Sequence, residues 1–355
     1  MDDKRNFFVC NYLVEMVILC DGRVTTCCID PMGINSYASI YSDSFSEVVD
    51  KYLATRMKLA RNFKSLPKCS ECHSIFEKTG NLNMIFQATD AQVGDFIKQG
   101  RDYRRYRFVI EPTSKCNLKC KGCVQAAINL SDYRDRPFID FDQLERWILP
   151  EIDKVGEIRF YNYGETFLHP KSLDFLSLLK VNNSNIQIEI ATNGLLLDTP
   201  EKQKKLIQSG VDSVVFSIHG SNQDNIEKYM THNFKFGKVM KILTQLVQIR
   251  REMNATAPRL IWKYLLFKWN DSESCILEAK KQAQKIGVDE IWFELASHPA
   301  PSGRFAPNND AWKKFTMDMR MINSITGIWD ARQSIGVHKA TIIRKMINKI
   351  MCLKK

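Results

Sequence analysis

The sequence predicts an α/β protein in which an open barrel of parallel strands follows a small, cysteine-rich N-terminal module. Strand-like and helical segments alternate between residues 105 and 300, and nine of the eleven cysteines lie within the first 123 residues. Of the 355 residues, 44% are hydrophobic and 26% are charged, which is typical of globular domains. This composition excludes a disordered or collagen-like chain, and no apolar run approaches the ~18 residues that a membrane-spanning helix needs.

Six strand-like runs predict the barrel. They lie at residues 107–111, 157–163, 186–191, 213–218, 260–267 and 290–296. Helical patterns separate them, for example over residues 141–155, from Pro200 to Gly210 and from Ser272 to Gly287, with residues that commonly begin and end helices. A strand and a helix repeated six times predict a parallel sheet with helices outside it. Six such units make a partial (β/α)6 barrel.

A loop with three cysteines follows the first barrel strand. Cys116, Cys120 and Cys123 have the spacing C-x3-C-x2-C and lie beyond the carboxyl end of that strand, where barrel enzymes hold their active sites. Three thiolates so close in sequence can bind one ion or cluster, whereas iron–sulfur clusters normally take four thiolates. The loop therefore indicates a cluster with one iron open to another ligand. The alternative is a structural zinc site with a distant fourth ligand.

Three further motifs follow the next three strands. They are Tyr163-Gly164-Glu165-Thr166, Ala191-Thr192-Asn193-Gly194 and Phe216-Ser217-Ile218-His219-Gly220. Together with the cysteine loop, they resemble the motifs of the radical S-adenosylmethionine (SAM) superfamily, over residues 105–296. The family pattern has glycine in place of Tyr163, proline in place of Thr166, aspartate in place of His219 and often an aromatic residue in place of Gly122.

The resemblance implies a TIM-like partial barrel with a 4Fe–4S cluster held by Cys116, Cys120 and Cys123. An electron from this cluster would cleave SAM to a 5′-deoxyadenosyl radical, which abstracts hydrogen from a substrate carbon. An external donor such as flavodoxin or ferredoxin would supply the electron. The cofactor carries out the difficult step, and the protein positions the target bond and excludes water. The implied SAM-binding residues are Gly164, Glu165, Thr192, Asn193 and Ser217.

Two further residues near strand ends are candidates for the site. Lys263, or alternatively Lys268, is expected to hold the SAM carboxylate or an anionic group of the substrate, and a solvated lysine is as consistent with the sequence. His219 is the candidate catalytic residue, as a proton donor or a substrate contact. The other interpretation of His219 is a histidine that is hydrogen-bonded to a neighbouring loop.

The N-terminal cysteines form a second group. An Asp21-Gly22 turn with hydrophobic flanks predicts a β-hairpin, and a helix is expected over residues 44–61. The pattern resembles the SPASM/Twitch auxiliary-cluster module, which usually follows the barrel rather than precedes it. This resemblance implies a second 4Fe–4S cluster, with Cys28 as the rival of Cys27 and a zinc ribbon as the alternative. The four expected ligands are Cys10, Cys27, Cys69 and Cys72.

The predicted domain organisation has four segments. They are the auxiliary-cluster module at residues 1–80, a linker at 81–104, the barrel at 105–300 and a helical extension at 301–355. Residues 331–355 hold seven Lys or Arg and no Asp or Glu, with apolar residues on one helical face. Such a helix can lie on an anionic membrane surface, and a terminal helix docked on the barrel is the alternative.

The charge favours anionic partners without choosing among them. Lys and Arg number 51 against 40 Asp and Glu, so the formal net charge is +11. The basic run at residues 101–107 is interpreted as a linker, so nucleic acid is not expected as a partner. The N-terminus does not resemble a signal peptide, which predicts a cytoplasmic protein. A peripheral membrane contact through the tail is the expectation that the basic helix adds.

The substrate is predicted from a single segment. Residues 262–273 resemble radical SAM proteins that are encoded with surface-polysaccharide genes. This likeness suggests a sugar or nucleotide-sugar, which fits an anionic small molecule, and a reaction of oxidation or epimerisation. The enzymatic alternative is a peptide-modifying maturase, and the non-enzymatic alternative is a zinc-stabilised binding protein.

Overall fold

The computed structural model describes residues 5–8, 14–72, 85–99, 106–296, 298–306 and 309–315. Residues 67–72 are helical. The helix Phe45–Arg61 confirms the helix expected over 44–61. The segment 81–104, expected as a linker, instead carries a strand and a helix. The other N-terminal elements are β1 Arg5–Phe8, β2 Met16–Ile18, β3 Arg23–Thr25, β4 Ala38–Ser39, α1 Phe45–Arg61, β5 Ile85–Ala88 and α2 Asp90–Gln99.

Strands and helices alternate through the rest of the described chain. Short 3₁₀ helices lie at Phe63–Ser65, Leu130–Tyr133, Leu149–Lys154 and Thr166–Leu168. The regular elements are β6 Tyr106–Ile110, α3 Val124–Ala127, α4 Phe141–Ile148, β7 Val155–Phe160, α5 Ser172–Asn182, β8 Gln187–Thr192, α6 Pro200–Gln208, β9 Ser213–Ser217, α7 Gln223–Met230, α8 Phe236–Glu252, β10 Arg259–Leu266, α9 Glu273–Ile286 and β11 Glu290–Leu295.

One sheet holds all six predicted barrel strands. Its order is β11-β10-β9-β8-β7-β6-β2-β3-β4, and the six strands from β6 to β11 are parallel to their neighbours. This arrangement confirms the predicted α/β fold with a parallel, partial barrel. The N-terminal hairpin is part of the same sheet, because β2 pairs in parallel with β6 and antiparallel with β3. A separate pair joins β1 to β5 antiparallel.

The two faces of the barrel strands differ in chemistry. Phe160 packs against Phe141 of α4, and Trp262 packs against Phe236 of α8, with ring centroids 5.9 and 6.4 Å apart. Phe160 and Trp262 therefore mark the outer face of their strands. Because successive side chains of a strand point to opposite faces, the residues that alternate with the outward-packed ones line the inner face of the barrel. That face is half-buried and polar, with Arg159, Glu189, Ser217, Lys263 and Glu294 on it.

Helix ends follow the predicted signals. The Ser44 hydroxyl accepts a hydrogen bond from the Glu47 backbone N–H at 3.3 Å. The Glu47 carboxylate accepts one from the Ser44 backbone N–H at 2.8 Å. This capping box begins α1. At α9 the Ser272 hydroxyl accepts a hydrogen bond from the Cys275 N–H at 3.3 Å, and Gly287 ends the helix with φ +86°, a conformation that favours glycine.

Residues 316–355, which include the basic tail, lie outside the described residues, so the tail helix and its membrane contact stay predictions. Among the residues that the structure describes, none of the helices has both the length and the apolar composition to cross a bilayer.

Candidate metal and cofactor site

The cysteine loop (residues 116–123) lies where the sequence predicts it, directly beyond β6. Cys116, Cys120 and Cys123 are each half-buried. The backbone folds around the sulfurs, since the Leu118 N–H donates to the Cys116 Sγ at 3.4 Å and the Cys123 N–H donates to the Cys120 carbonyl at 3.0 Å. The loop therefore presents three thiols from one short turn of chain.

The thiols of this loop influence one another. Burial raises the pKa of Cys120 to about 12, and the neighbouring Cys123 and Cys116 add to that rise. Burial likewise raises the pKa of Cys116 to about 12, with further contributions from Glu165 and Cys123. Three thiolates at this place need positive charge nearby, and coordination to metal deprotonates a thiol outright. The donor set therefore suits an iron–sulfur cluster.

A structural zinc ion is the alternative occupant of the loop. Within the described ranges, no three His, Cys, Asp or Glu side chains are gathered so as to hold one metal ion. A tetrahedral zinc with Zn–S bonds near 2.3 Å would bring its sulfurs to about 3.8 Å from each other. Cys116, Cys120 and Cys123 would each supply one thiolate to an iron–sulfur cluster.

The glutamate turn (residues 162–165) after β7 packs directly on the cysteine loop. A Cβ atom on Gly164 would lie 1.9 Å from the Thr113 carbonyl oxygen and 2.8 Å from that of Lys115, so glycine alone fits there. The Glu165 N–H donates to the Lys115 carbonyl at 2.8 Å. The predicted residues Gly164 and Glu165 are thus fixed against the strand end that leads into Cys116.

The Glu165 carboxylate joins the turns after β7 and β8. It is 3% exposed, and it accepts hydrogen bonds from the Thr192 hydroxyl at 2.7 Å and the Asn193 N–H at 2.8 Å. Burial raises the pKa of Glu165, and these donors partly offset that rise. A bound ammonium group would stabilise the charged carboxylate further, which fits the SAM role that the resemblance implies.

Asn193 extends this network to the cysteines. Its side-chain N–H donates to the Asn117 Oδ1 at 2.7 Å, and Asn117 follows Cys116 directly. The structure therefore brings together Glu165, Thr192, Asn193 and the cysteine loop, which are widely separated in sequence. Asn117 is a site residue that the sequence analysis missed, because its partner is 76 residues away.

Ser217 and Lys263 lie side by side on the inner face, paired in register across β9 and β10. Both are half-buried. The Lys263 Nζ lies 2.8 Å from the Glu294 Oε2 of β11, so any SAM or substrate carboxylate would share Lys263 with that glutamate. Their SAM-binding roles stay predictions.

His219 is packed rather than open to solvent. It is 6% exposed, its Nδ1 accepts from the Leu265 N–H at 3.3 Å, and its ring lies edge-on to Tyr229 at 5.5 Å. Burial lowers the pKa of His219 to about 3, and nearby Lys263 adds to the effect. The ring nitrogen thus bonds a backbone N–H of β10, and both the catalytic role and the loop-bonded alternative stay predictions.

Two aromatic rings border the cysteine loop without any local signal in the sequence. His298, 176 residues beyond Gly122, forms a hydrogen bond between its Nε2 and the Gly122 carbonyl. Its ring leaves no room for a side chain at position 122, since a Cβ there would lie 2.8 Å from the His298 Cδ2. Tyr229 is the second ring; burial raises its pKa, and Cys120 and Cys123 contribute.

The N-terminal cysteines lie in a different setting. Cys69 is buried, whereas Cys27, Cys28 and Cys72 are half-buried, and the expected ligand Cys10 lies outside the described residues. The Asn35 side chain donates to the Cys69 Sγ at 3.4 Å. Cys28 packs against Val17, Leu19 and Val109.

A buried ion pair joins the N-terminal hairpin to the barrel. The Glu111 and Arg134 side chains are both fully buried, with Oε1 and Nε 2.8 Å apart. Glu111 also accepts from the Cys20 N–H at 3.3 Å and from the Asn162 side chain at 3.0 Å. One carboxylate thus connects the hairpin, the loop that carries Arg134, and the glutamate turn.

Comparison with known families tests the resemblance. Residues 110–254 match the model of the Radical SAM superfamily. The chain contains a radical SAM domain. Residues 10–73 match the model of SPASM, an iron–sulfur cluster-binding domain, so both predicted families are confirmed. A radical SAM domain implies a 4Fe–4S cluster and SAM, and a SPASM domain implies a further iron–sulfur cluster; the assignment of individual ligands stays a prediction.

Curated relatives share part of the length of this chain. It is 27% identical over 186 residues to the tungsten-containing aldehyde ferredoxin oxidoreductase cofactor-modifying protein of Pyrococcus furiosus, covering 51% of this chain and 49% of the relative. It is 20% identical over 187 residues to the GTP 3′,8-cyclase of Aquifex aeolicus, covering 52% and 55%. The chain spans about half the length of the curated relatives it matches.

Among solved structures, this chain is similar to SuiB of Streptococcus suis. The sequences are 16% identical, the TM-score is 0.49, and the match covers 80% of this chain and 64% of SuiB.

Proposed function

We propose that the protein cleaves SAM reductively at a cluster held by Cys116, Cys120 and Cys123, and that the resulting radical abstracts hydrogen from a substrate carbon. The observation that carries this proposal is the network in which the Glu165 carboxylate is held by the turn after β8, while Asn193 of that turn bonds the cysteine loop. Such a network holds ligands of one cofactor in fixed relation to each other.

When bound, the cluster supplies the electron that breaks a sulfur–carbon bond of SAM. The chain's own residues bind and orient. Glu165 is the buried anion that would receive the SAM ammonium group, and Thr192 and the Asn193 N–H orient it. Ser217 and Lys263 lie farther along the inner face, where they would meet the ribose or a carboxylate. His298 and Tyr229 border the cysteine loop and would limit the access of water.

The inner face supports a small polar substrate. The Tyr161 hydroxyl donates to Glu189 at 2.6 Å, and Lys263 pairs with Glu294, so hydrogen-bonding groups of both charges line the barrel below the site. Hydroxyl-rich molecules suit such a lining, as a sugar or nucleotide-sugar would. One curated relative is by name a GTP cyclase, which is in keeping with a nucleotide-containing substrate. The reaction is oxidation or epimerisation, and peptide modification is the alternative.

The first experiment asks whether SAM is cleaved. Anaerobically reconstituted and reduced protein should convert SAM to 5′-deoxyadenosine, and Cys120→Ala should abolish this product. Cys275→Ala, in α9 away from the loop, is the matched control and should retain it. Formation of 5′-deoxyadenosine by Cys120→Ala, or zinc without iron in the purified protein, would contradict the proposal.

The second experiment identifies the substrate class. Deuterated nucleotide-sugars and peptides are incubated with the reduced protein, and transfer of deuterium into 5′-deoxyadenosine marks a substrate. Flavodoxin and ferredoxin are compared as electron donors in the same assay. The cytoplasmic location and the membrane contact of the tail remain predictions.

A further inference from the structure

We propose that Tyr163 is a positioning residue that couples the N-terminal cysteine hairpin (residues 16–28) to the glutamate turn, so that SAM binding and the auxiliary-cluster module affect each other. The proposal rests on the proposed function, because it takes the glutamate turn as part of the SAM site. It concerns the position at which this sequence replaces the first glycine of the family motif with tyrosine.

On the barrel side, the backbone of Tyr163 is held from two directions. Its carbonyl accepts a hydrogen bond from the Gln125 side chain at 3.2 Å, and Gln125 comes two residues after Cys123. The next residue, Gly164, touches the Thr113 carbonyl so closely that no side chain fits. Position 163 therefore cannot shift without moving the cysteine loop or the Glu165 carboxylate.

On the module side, the Tyr163 hydroxyl donates to the Cys28 carbonyl, 135 residues away in sequence. Cys28 itself packs against Val17, Leu19 and Val109 at the junction of β2 and β6. The preceding residue, Asn162, donates to Glu111 at 3.0 Å, and Glu111 accepts from the Cys20 N–H. Asn162 thus reaches the hairpin turn at Cys20 through Glu111, and Tyr163 reaches the chain directly at Cys28, beyond β3.

The side chain of Tyr163 provides the contact between the glutamate turn and Cys28. A glycine at position 163 would keep the backbone bond to Gln125 but would have no group able to reach Cys28. A single neutral hydrogen bond changes an equilibrium by about fivefold, and a coupling between two sites acts equally in both directions. SAM on the glutamate turn should therefore steady the hairpin, and loss of the hydroxyl should weaken SAM binding to a similar extent.

The test uses anaerobic holoenzyme with oxidised clusters, so that SAM binds without being cleaved. Tyr163→Phe removes only the hydroxyl. In the wild type, SAM should slow hydrogen exchange of the backbone amides of residues 20–30, and Tyr163→Phe should lose most of that protection. The SAM dissociation constant should rise about fivefold. Tyr133→Phe, an exposed tyrosine nearby, is the control and should behave as the wild type.

Tyr163→Gly is the second variant, and it should show the same loss with equal iron content. If neither variant differs from Tyr133→Phe in exchange and in SAM affinity, the proposal is wrong. If Tyr163→Phe does not load iron, the exchange of the hairpin in the cluster-free chain decides: faster exchange than in the wild type supports the proposal, and unchanged exchange overturns it. A wild type that binds SAM but forms no 5′-deoxyadenosine contradicts the proposed function alone, because binding and exchange do not depend on cleavage.

Discussion

The two cysteine sites of this chain are built in opposite ways. In the barrel, three thiols come from eight residues of one loop, and turns from two neighbouring strands clamp that loop through Gly164, Glu165 and Asn193. In the N-terminal module, the described thiols come from residues 20 to 72, and the Asn35 side chain bonds one of them, Cys69. The barrel thiols are therefore neighbours in sequence, whereas the module thiols could meet only through the fold of the module.

The largest contrast should appear in iron content. Cys69→Ala should lose the auxiliary cluster, about four of about eight irons per chain, and still form 5′-deoxyadenosine, because the barrel loop does not need the module's thiols. Cys27→Ala should behave like Cys69→Ala, and Cys28→Ala should keep all its iron. Iron analysis and product assay measure both effects. Loss of both clusters in Cys69→Ala would show that the two sites are not independent.

The next effect tests the joint between the regions. Arg134→Met leaves the Glu111 carboxylate buried without its cation, so we expect the free energy of unfolding to fall by about 3–5 kcal/mol. Chemical denaturation measures it. The double variant with Glu111→Gln should regain much of the loss. Lys171→Met removes an exposed pair with Asp142 and should change stability by less than about 1 kcal/mol; an equal loss there would refute the special role of the buried pair.

Acid should lower the free energy of unfolding through the buried His219 of the barrel. The pKa of His219 falls to about 3 on folding, so the unfolded chain binds the extra proton between that value and about 6.5. Stability is therefore lost as the pH falls below 6.5, by about 2 kcal/mol at pH 5. His219→Gln should flatten this slope in denaturation curves at pH 7 and 5, whereas His232→Gln, at an exposed site, should keep it. An unchanged slope in His219→Gln would contradict the assignment.

The smallest effect concerns the auxiliary cluster alone. Asn35→Leu removes the hydrogen bond to the Cys69 sulfur. In a cluster held by Cys69, that hydrogen bond would stabilise the more negative, reduced form. The reduction potential of that cluster should fall by about 40 mV, the one-electron equivalent of a hydrogen bond of about 1 kcal/mol. Redox titration followed by electron paramagnetic resonance measures it, with the barrel cluster as internal control. A shift of the barrel cluster instead would reverse the assignment of Asn35.

Much of the fold could be predicted from sequence because local rules govern it. The alternation of strands and helices, the cap at Ser272 and the glycine at 287 are local signals, and each agrees with the structure. The β5 strand could not be predicted in the same way, since four residues become a strand only by pairing with β1. The sequence of segment 81–104 therefore predicts only a linker.

The candidate site likewise contains residues that the sequence indicates and contacts that only the fold creates. The family resemblance implies Gly164, Glu165, Thr192 and Asn193 as site residues, and they lie together because turns after successive parallel strands meet at one edge of the sheet. The bonds from Asn193 to Asn117 and from His298 to Gly122 depend on loop conformations that the sequence does not encode locally. Tertiary packing sets these two hydrogen bonds, and tertiary packing also buries His219.

The parallel pairing of β2 with β6 has a consequence for any attempt to divide the chain. With residues 1–104 removed, β6 would become a bare sheet edge, and the Glu111 N–H would lose its Ile18 carbonyl partner at 2.8 Å. Unprotected edges of this kind recruit other chains and promote aggregation. The N-terminal segment therefore covers this edge of the barrel sheet, and a chain cut before β6 should aggregate more readily than the whole chain.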